Sequence, residues 1–129
     1  MNLNSAEKPK VKILIVDDRE PARRMIMRYL CEITGDFCEC ADGADALESY
    51  RAFMPDWVLM DWEMKQMDGL AATRSIIDAF PAARILMLTQ YCDKELSRAA
   101  NEAGACGFFP KDDLLNLSEF LKINYYQSY

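Results

Sequence analysis

Short apolar runs alternate along the chain with segments in which apolar residues recur at a helical spacing. Runs of this length are typical of buried strands, and the 3.6-residue spacing between them is typical of helices packed on a sheet. The predicted strands are Val11–Val16, Phe37–Ala41, Trp57–Met60, Arg84–Leu88 and Gly107–Phe109. The predicted helices are Pro21–Ile33, Ala44–Phe53, Leu70–Phe80, Asp93–Ala103 and Asp112–Tyr125. Strict alternation of strands and helices predicts an α/β fold, a single doubly wound parallel sheet with helices on both faces.

Two of the strands have predictable places in this sheet. The run Trp57–Met60 is apolar without a break, as expected of a central strand that is covered on both faces. Pro110 follows the last strand and has no N–H to donate, so that strand is predicted to lie at an edge. We expect residues 1–10, which are polar, to be disordered, and residues 11–129 to form one domain.

Composition and net charge limit the classes of function that the chain can have. The chain has 129 residues, of which 51% are hydrophobic, and a formal net charge of -6, so it is a globular domain without the basic surface that direct nucleic-acid binding needs. Arg23, Arg24 and Arg28 are predicted to form a solvent-exposed helix face. No apolar run approaches the roughly 20 residues of a membrane span, and the first ten residues do not resemble a signal peptide. We therefore expect a cytoplasmic protein that does not contact a membrane.

Histidine is absent and the cysteines have no metal-binding spacing. No CxxC pair occurs among the five cysteines, and the chain has no histidine, which excludes a mixed zinc site and histidine-based acid–base chemistry. The cysteines are predicted to be small buried apolar residues. They are Cys31, Cys38, Cys40, Cys92 and Cys106.

Three aspartates follow predicted strands. Asp17 and Asp18 come directly after the first strand, and Asp61 comes after the third. Carboxyl ends of parallel strands meet at one edge of a sheet, where such folds place their chemistry. Three carboxylates there would suit Mg²⁺, with one left as a nucleophile. Each aspartate alone could instead cap the next helix, but that explanation is less suited to all three together.

Two further polar residues end neighbouring strands. Thr89 ends the fourth strand and Lys111 follows the fifth. A carboxylate nucleophile, a cation, a hydroxyl and an ammonium around one point are what phosphoryl transfer to an aspartate requires, because catalysis there depends on positioning and charge neutralisation.

With these residues the chain resembles the receiver domain of bacterial two-component response regulators, from Lys12 to about Tyr125. Four segments carry the resemblance, in the family's order and spacing. They are ILIVDD (Ile13–Asp18), VLMDWEMKQMDG (Val58–Gly69), LMLT (Leu86–Thr89) and GFFPKDD (Gly107–Asp113). The resemblance implies a flavodoxin-like sheet with strand order 2-1-3-4-5 and five helices.

The resemblance also implies a role for each acidic residue. Asp61 would accept the phosphoryl group. Asp18 would bind Mg²⁺, or Mn²⁺ in its place, directly, and Asp17 would assist through a water. Asp61 itself and the backbone carbonyl of Glu63 would supply further metal ligands.

The remaining roles concern phosphoryl contact and switching. Lys111 would pair with the phosphoryl oxygens, and Thr89 would move to hydrogen-bond one of them. Phe108 would turn inward as Thr89 moves. A receiver of this kind is not an enzyme in the usual sense, since it catalyses only its own Mg²⁺-dependent phosphorylation and dephosphorylation.

The implied partners follow from the family. The phosphoryl group would come from a histidine kinase or a phosphotransfer protein. The fourth helix, fifth strand and fifth helix would form the surface that contacts an output partner or output domain, and phosphorylation could produce a homodimer. The chain could be a stand-alone receiver or part of a longer regulator.

Several positions depart from the family pattern. Met64-Lys65 stands where Met-Pro is usual, and Asp112 stands where a proline often follows Lys111. Gln90 and Tyr91 are predicted to crowd the rim of the site, and Glu63 adds a charge there, so slow phosphorylation is expected.

The crowded rim leaves a second interpretation open, a degenerate receiver that acts as an interaction module without phosphorylation. A haloacid-dehalogenase-type phosphatase fits less well, because its first strand is followed by Asp-x-Asp whereas this one is followed by Asp17-Asp18-Arg19. A flavin site suits the fold, but no phosphate-binding loop follows the first strand.

Overall fold

The fold is a five-stranded parallel sheet with helices on both faces. The computed structural model describes residues 11–34, 36–64, 67–90 and 94–127; the predicted disordered segment 1–10 lies outside these ranges. The strands are β1 (Lys12–Val16), β2 (Asp36–Cys40), β3 (Trp57–Asp61), β4 (Ile85–Thr89) and β5 (Gly107–Pro110). The helices are α1 (Glu20–Leu30), α2 (Ala46–Phe53), α3 (Gly69–Ala79), α4 (Lys94–Ala103) and α5 (Leu114–Gln127). The sheet order β2-β1-β3-β4-β5 confirms the predicted doubly wound, flavodoxin-like fold.

The sheet separates two apolar cores. Helices α1 and α5 pack together on one face, and α2, α3 and α4 pack on the other. Ile13, Ile15 and Leu59 face the first core, whereas Leu14 and Met60 face the second. Every residue of β3 and β4 is buried, and β5 lies at an edge of the sheet, so both predictions about strand position are confirmed.

Element boundaries differ from the predictions where local hydrogen bonds compete with regular structure. Helix α1 ends at Leu30 rather than Ile33 because the chain tightens there, with the Ile33 N–H donating to the Leu30 carbonyl at 2.9 Å. Helix α2 begins two residues late, since Asp42 accepts a hydrogen bond from the Ala44 N–H at 2.9 Å and holds a short 3₁₀ turn.

The other boundaries shift by small amounts. Asp61 and Pro110 belong to their strands instead of following them, and β4 starts one residue after Arg84. Asp68 caps α3, accepting from the Ala71 N–H at 2.8 Å. These shifts leave the strand ends, and therefore the predicted site, at the same edge of the sheet.

Two predictions about side-chain exposure are wrong in part, although Cys40 is buried and Arg24 and Arg28 are exposed as predicted. Cys31 and Cys106 are exposed and Cys38 is only half-buried, so of the four described cysteines only Cys40 is a buried core residue. Arg23 is not part of a solvated helix face, because its side chain is only 13% exposed. Within the described ranges, no helix has both the length and the apolar character needed to cross a bilayer.

Candidate functional site

The three predicted aspartates come together at the carboxyl edge of the sheet. Strands β1 and β3 are neighbours with Val16 opposite Met60, so the residue that follows each of these, Asp17 or Asp61, reaches the same point. One carboxylate oxygen from each of Asp17, Asp18 and Asp61 lies within 4.8 Å of the other two. Asp17 is 1% exposed and Asp61 is 5% exposed, so two of the three carboxylates are buried.

The main chain and one carboxylate oxygen of Asp17 are fixed by hydrogen bonds. Its N–H donates to the Cys40 carbonyl of β2 at 3.0 Å. Its Oδ1 accepts from the Arg19 N–H at 2.9 Å, and its carbonyl accepts from Arg23 Nη1 at 2.7 Å. Oδ2 accepts no hydrogen bond of regular geometry. Asp17 is therefore held firmly with one buried oxygen directed at the site.

Lys111 joins the two buried carboxylates. Its Nζ lies 2.8 Å from Asp17 Oδ2 and 3.0 Å from Asp61 Oδ1. Its N–H donates to the Thr89 carbonyl at 2.7 Å, which continues the β4–β5 ladder past Pro110 and directs the side chain inward. Burial alone would lower the pKa of Lys111, but contact with Asp17 and Asp61 outweighs burial and raises it.

Asp61 titrates near neutrality. Burial, followed by the charge of Asp17, raises the pKa of Asp61 from 3.8 to about 6, although Lys111 acts in the opposite direction. The carboxylate is therefore mostly ionised at pH 7. It is also the most strongly perturbed acid among the described residues, as is common for a reacting group in a cleft.

The arrangement suits a divalent cation. The donors are three carboxylates, the hard oxygen ligands that Mg²⁺ and Mn²⁺ prefer. The three carboxylates and one ammonium leave two negative charges to be compensated. Asp17 Oδ2 is buried and is already paired with the Lys111 ammonium at 2.8 Å, so this oxygen faces the point where positive charge is held. The residues present therefore fit the metal.

The other predicted site residues have varied surroundings. Thr89 is buried and lies one position beyond Leu88, the β4 residue opposite Asp61. The ring of Phe108 is half-buried, 6.1 Å from the ring of Trp62. The side chains of Glu63 and Gln90 are exposed.

The predicted roles of these residues remain predictions. The proposed ligand atom of Glu63, its carbonyl, has no partner in the described part of the chain. Gln90 borders a cleft beside Lys111, and Tyr91 lies outside the described residues.

Sequence reasoning missed the residues that support the site from behind. Arg23 was assigned to a solvated face because arginines at helical spacing usually are. Gly69 passes so close to β3 that an added Cβ would lie 2.2 Å from the Asp61 carbonyl oxygen, and its N–H donates to the Trp62 carbonyl at 2.9 Å. The Asp68-Gly69 pair is a turn signal, but nothing in it indicates this close approach.

Known proteins resemble the chain in sequence and in structure. A sequence profile of the response regulator receiver domain matches residues 13–122. The chain is 36% identical over 107 residues to an uncharacterized transcriptional regulatory protein, YhcZ, of Bacillus subtilis (strain 168), which covers 79% of this chain and 49% of that protein. It is 38% identical over 103 residues to the response regulator UvrY of Escherichia coli O157:H7, covering 78% of this chain and 47% of that protein. The chain thus spans about half the length of these curated relatives.

A solved structure agrees with both the fold and the sequence. The two-component response regulator of the LuxR family from Aurantimonas sp. SI85-9A1 superposes with a TM-score of 0.81 at 32% identity, covering 92% of this chain and 87% of that one. The family profile extends over most of the chain, including the carboxyl ends of β1, β3, β4 and β5, which carry the site residues. The chain therefore belongs to the family of response regulator receiver domains of two-component signal transduction.

Proposed function

We propose that this receiver domain accepts a phosphoryl group on Asp61 from a phosphohistidine of a histidine kinase or phosphotransfer protein, in a Mg²⁺-dependent reaction. One observation carries the proposal: Asp61 is a buried carboxylate 3.0 Å from the Lys111 ammonium, inside a cluster of three carboxylates that suits a divalent cation. Asp17 is also buried and paired with Lys111, but its other carboxylate oxygen already accepts from the Arg19 N–H at 2.9 Å, so Asp61 is the better candidate for the nucleophile.

The chemical step needs only one new bond. A carboxylate oxygen of Asp61 forms a bond to phosphorus while the phosphorus–nitrogen bond of the donor breaks. The electron pair of that bond passes to the imidazole nitrogen, and the ring leaves neutral when its other nitrogen carries a proton. The product is an acyl phosphate on Asp61, and the charge removed from the donor appears on the domain.

The chain's own residues prepare this step. Lys111 stays protonated because its raised pKa keeps the ammonium charged at neutral pH, where it offsets the charge of the phosphoryl oxygens. The buried Thr89 hydroxyl would donate a hydrogen bond to one of those oxygens. Asp17 and Asp18, with Asp61 and the Glu63 carbonyl, would hold Mg²⁺, which when bound offsets further phosphoryl charge.

Intact contacts argue against a degenerate receiver. A module that had lost phosphorylation would have no need for a buried Asp17–Lys111–Asp61 arrangement, because unused buried charges are costly to maintain. Those contacts are present. The exposed rim residues Glu63 and Gln90 affect access and leave the centre of the site unchanged.

The α4–β5–α5 face is the proposed output surface. A groove of about 610 Å³ lies between α4 and β5, bordered by Lys94, Arg98 and Phe108. Phe108 also contacts Trp62, the residue after Asp61. A charge change at Asp61 thus has a short path, through two packed rings, to this groove.

The wider roles are also proposals. The output partner or domain, and dimerisation on phosphorylation, would use that face. A cytoplasmic location is proposed from the kinase as donor, and residues 11–129 are proposed as one receiver unit.

The test is phosphoryl labelling with a small acyl phosphate in the presence of Mg²⁺. Asp61→Asn should keep the fold and abolish base-labile labelling, whereas Asp78→Asn, which changes an exposed acid of α3, should label normally. Labelling of Asp61→Asn at normal stoichiometry would contradict the proposal. Omitting Mg²⁺ or adding a chelator should reduce labelling of the unmodified protein to background.

A further inference from the structure

We infer that Arg23 is a positioning residue for the metal and phosphoacceptor site, and that it acts through the main chain of Asp17. The inference rests on the proposed function and adds to it a residue outside the cluster of acids. Arg23 is the fourth residue of α1, and its hydrogen bonds go to Asp17 and Glu39.

The guanidinium of Arg23 bridges three elements. Nη1 donates to the Asp17 carbonyl at 2.7 Å, and Nε donates to Glu39 Oε1 on β2 at 2.9 Å. Glu39 lies opposite Ile15 of β1, so its side chain points to the α1 face of the sheet. One side chain therefore ties the end of β1 to both α1 and β2.

The hydrogen bond from Arg23 Nη1 satisfies the carbonyl of Asp17, which the sheet leaves without a partner. The Asp17 N–H still pairs with β2, through the Cys40 carbonyl, but the Asp17 carbonyl lies past the last ladder position of β1. Without a hydrogen bond to this carbonyl, the peptide group between Asp17 and Asp18 could rotate. That rotation would also move the side chain of Asp18. Arg23 prevents that rotation with a charge-assisted hydrogen bond.

Comparison with the neighbouring arginines of α1 shows that the bridge to Asp17 and Glu39 is particular to Arg23. Arg24 pairs with Glu20 one turn away, and both side chains are largely exposed, at 66% and 60%. Arg28 is exposed as well. The Arg23 side chain is only 13% exposed, and its hydrogen bond to the Asp17 carbonyl is partly buried.

Glu39 makes this arrangement compatible with metal binding. A lone guanidinium near Asp17 would attract that carboxylate and repel an arriving cation. Pairing with Glu39 offsets the positive charge of Arg23. Arg23 therefore holds the Asp17 main chain in position while adding little net electrostatic potential at the site. The planar fork of arginine can hold a carbonyl and a carboxylate together, whereas a lysine ammonium cannot fix both in one plane.

The experiment measures Mg²⁺ affinity directly, independently of phosphorylation. Arg23→Met should weaken Mg²⁺ binding roughly tenfold, as is usual when a supporting partner of a metal ligand is removed. Binding is followed by Trp62 fluorescence and by the Mg²⁺-dependent shift in the midpoint of thermal unfolding. Arg24→Met, which removes the same charge from the same helix, is the matched control and should bind with unchanged affinity.

A second control separates positioning from loss of stability. Ile26→Val removes a methyl group from the buried face of α1 and should lower the unfolding midpoint without changing Mg²⁺ affinity. Arg23→Lys should recover only part of the affinity, because it restores the charge but cannot restore both hydrogen bonds. Should Arg23→Met fail to fold, Arg23→Lys carries the test, with binding expected to be about threefold weaker.

The outcomes are distinguishable from failure of the proposed function. If the unmodified protein bound no Mg²⁺, the proposed metal site and this inference would both be wrong. If the unmodified protein bound Mg²⁺ and Arg23→Met or Arg23→Lys bound it equally well, only the role of Arg23 would be overturned. An equal loss of affinity in Arg24→Met would also overturn it, because the effect would then come from charge alone.

Discussion

The balance of charge around Asp61 is decided by very few side chains. Asp17 and Asp61 are both buried, and a buried carboxylate pair needs either a neighbouring cation or a proton to offset its charge. Among the described residues, Lys111 is the cation that touches both. The site is thus held together by one ammonium and carries excess negative charge, which makes its stability sensitive to pH and to mutation.

The raised pKa of Asp61 predicts that its ionisation destabilises the metal-free protein. Because the pKa is about 6 in the folded state and 3.8 in the reference state, the folded state binds more protons between these values. Stability should therefore fall as pH rises from about 4 to 6, by roughly 1 to 3 kcal/mol. Asp61→Asn should abolish this loss and be more stable than the unmodified protein at pH 7.5.

Urea unfolding at pH 5 and pH 7.5 in a chelator measures this difference. Asp78→Asn, at an exposed position, serves as the control and should show the pH dependence of the unmodified protein. An Asp61→Asn variant that is less stable than the unmodified protein at pH 7.5 would mean that Lys111 compensates the Asp61 charge completely.

Removal of Lys111 should have the opposite effect on stability. Lys111→Met leaves Asp17 and Asp61 buried without their ammonium, which should cost about 3 kcal/mol at pH 7.5. Millimolar Mg²⁺ should recover part of that loss, because it stabilises the folded state by binding to it. Lys122→Met is the comparison: this lysine lies 3.6 Å and 3.7 Å from two exposed glutamates, so its removal should cost less than about 1 kcal/mol. Similar losses in both variants would show that the buried pairing contributes little.

At the scale of elements, the pattern of apolar residues was sufficient to predict the sheet. It was insufficient to predict side-chain contacts between different elements. Continuous apolar runs predicted β3 and β4, because a strand that is buried on both faces has apolar residues at nearly every position. The three aspartates and Lys111 could be brought together from sequence because parallel strands end at one edge. The contacts of Arg23 could not be predicted, since its partners are Asp17, just after β1, and Glu39, on β2. Cys31 lies just past the end of α1 and Cys106 just before β5, and the spacing of the cysteines does not reveal that these positions are exposed.

The β3–α3 junction predicts a glycine requirement that depends on the main chain. A Cβ at Gly69 would lie 2.2 Å from the Asp61 carbonyl oxygen and 3.0 Å from the Trp62 Cα, so the main chain that carries Asp61 has to move. Gly69→Ala should destabilise the protein by about 2 kcal/mol and slow acyl-phosphate labelling severalfold.

Gly107 provides the matched control for Gly69. A Cβ there would meet Leu86 Cδ2 at 2.6 Å, the end of a side chain, so the side chain of Leu86 and not the main chain that carries Asp61 has to shift. Gly107→Ala should therefore leave the labelling rate close to that of the unmodified protein. The comparison uses the labelling rate at fixed Mg²⁺ together with urea unfolding. Equal slowing in both variants would contradict a specific link between Gly69 and Asp61.

At the scale of the whole molecule, the excess of acidic residues opposes small anionic donors. The net charge is -6, and Glu63 adds an exposed charge two residues after Asp61. The field of the protein slows the arrival of a dianion, and salt screens that field. A protein donor can offset this repulsion with its own surface, whereas a small acyl phosphate cannot.

The final prediction is that labelling by a small acyl phosphate becomes faster as ionic strength rises, and that Glu63→Gln removes part of this dependence. The screening length falls from about 30 Å at 10 mM salt to about 8 Å at 150 mM, so the rim charge acts on an approaching dianion mainly at low salt. If Glu63 contributes about 1 kcal/mol to the barrier, Glu63→Gln should label about fivefold faster at 10 mM salt and only slightly faster at 150 mM. Stopped-flow Trp62 fluorescence at fixed Mg²⁺ gives these rates.

Glu102→Gln changes an exposed acid near the far end of α4 and is the control with the same change in net charge. Equal acceleration in both variants would attribute the effect to net charge, and no salt dependence in the unmodified protein would mean that access to Asp61 is not limited by electrostatic repulsion.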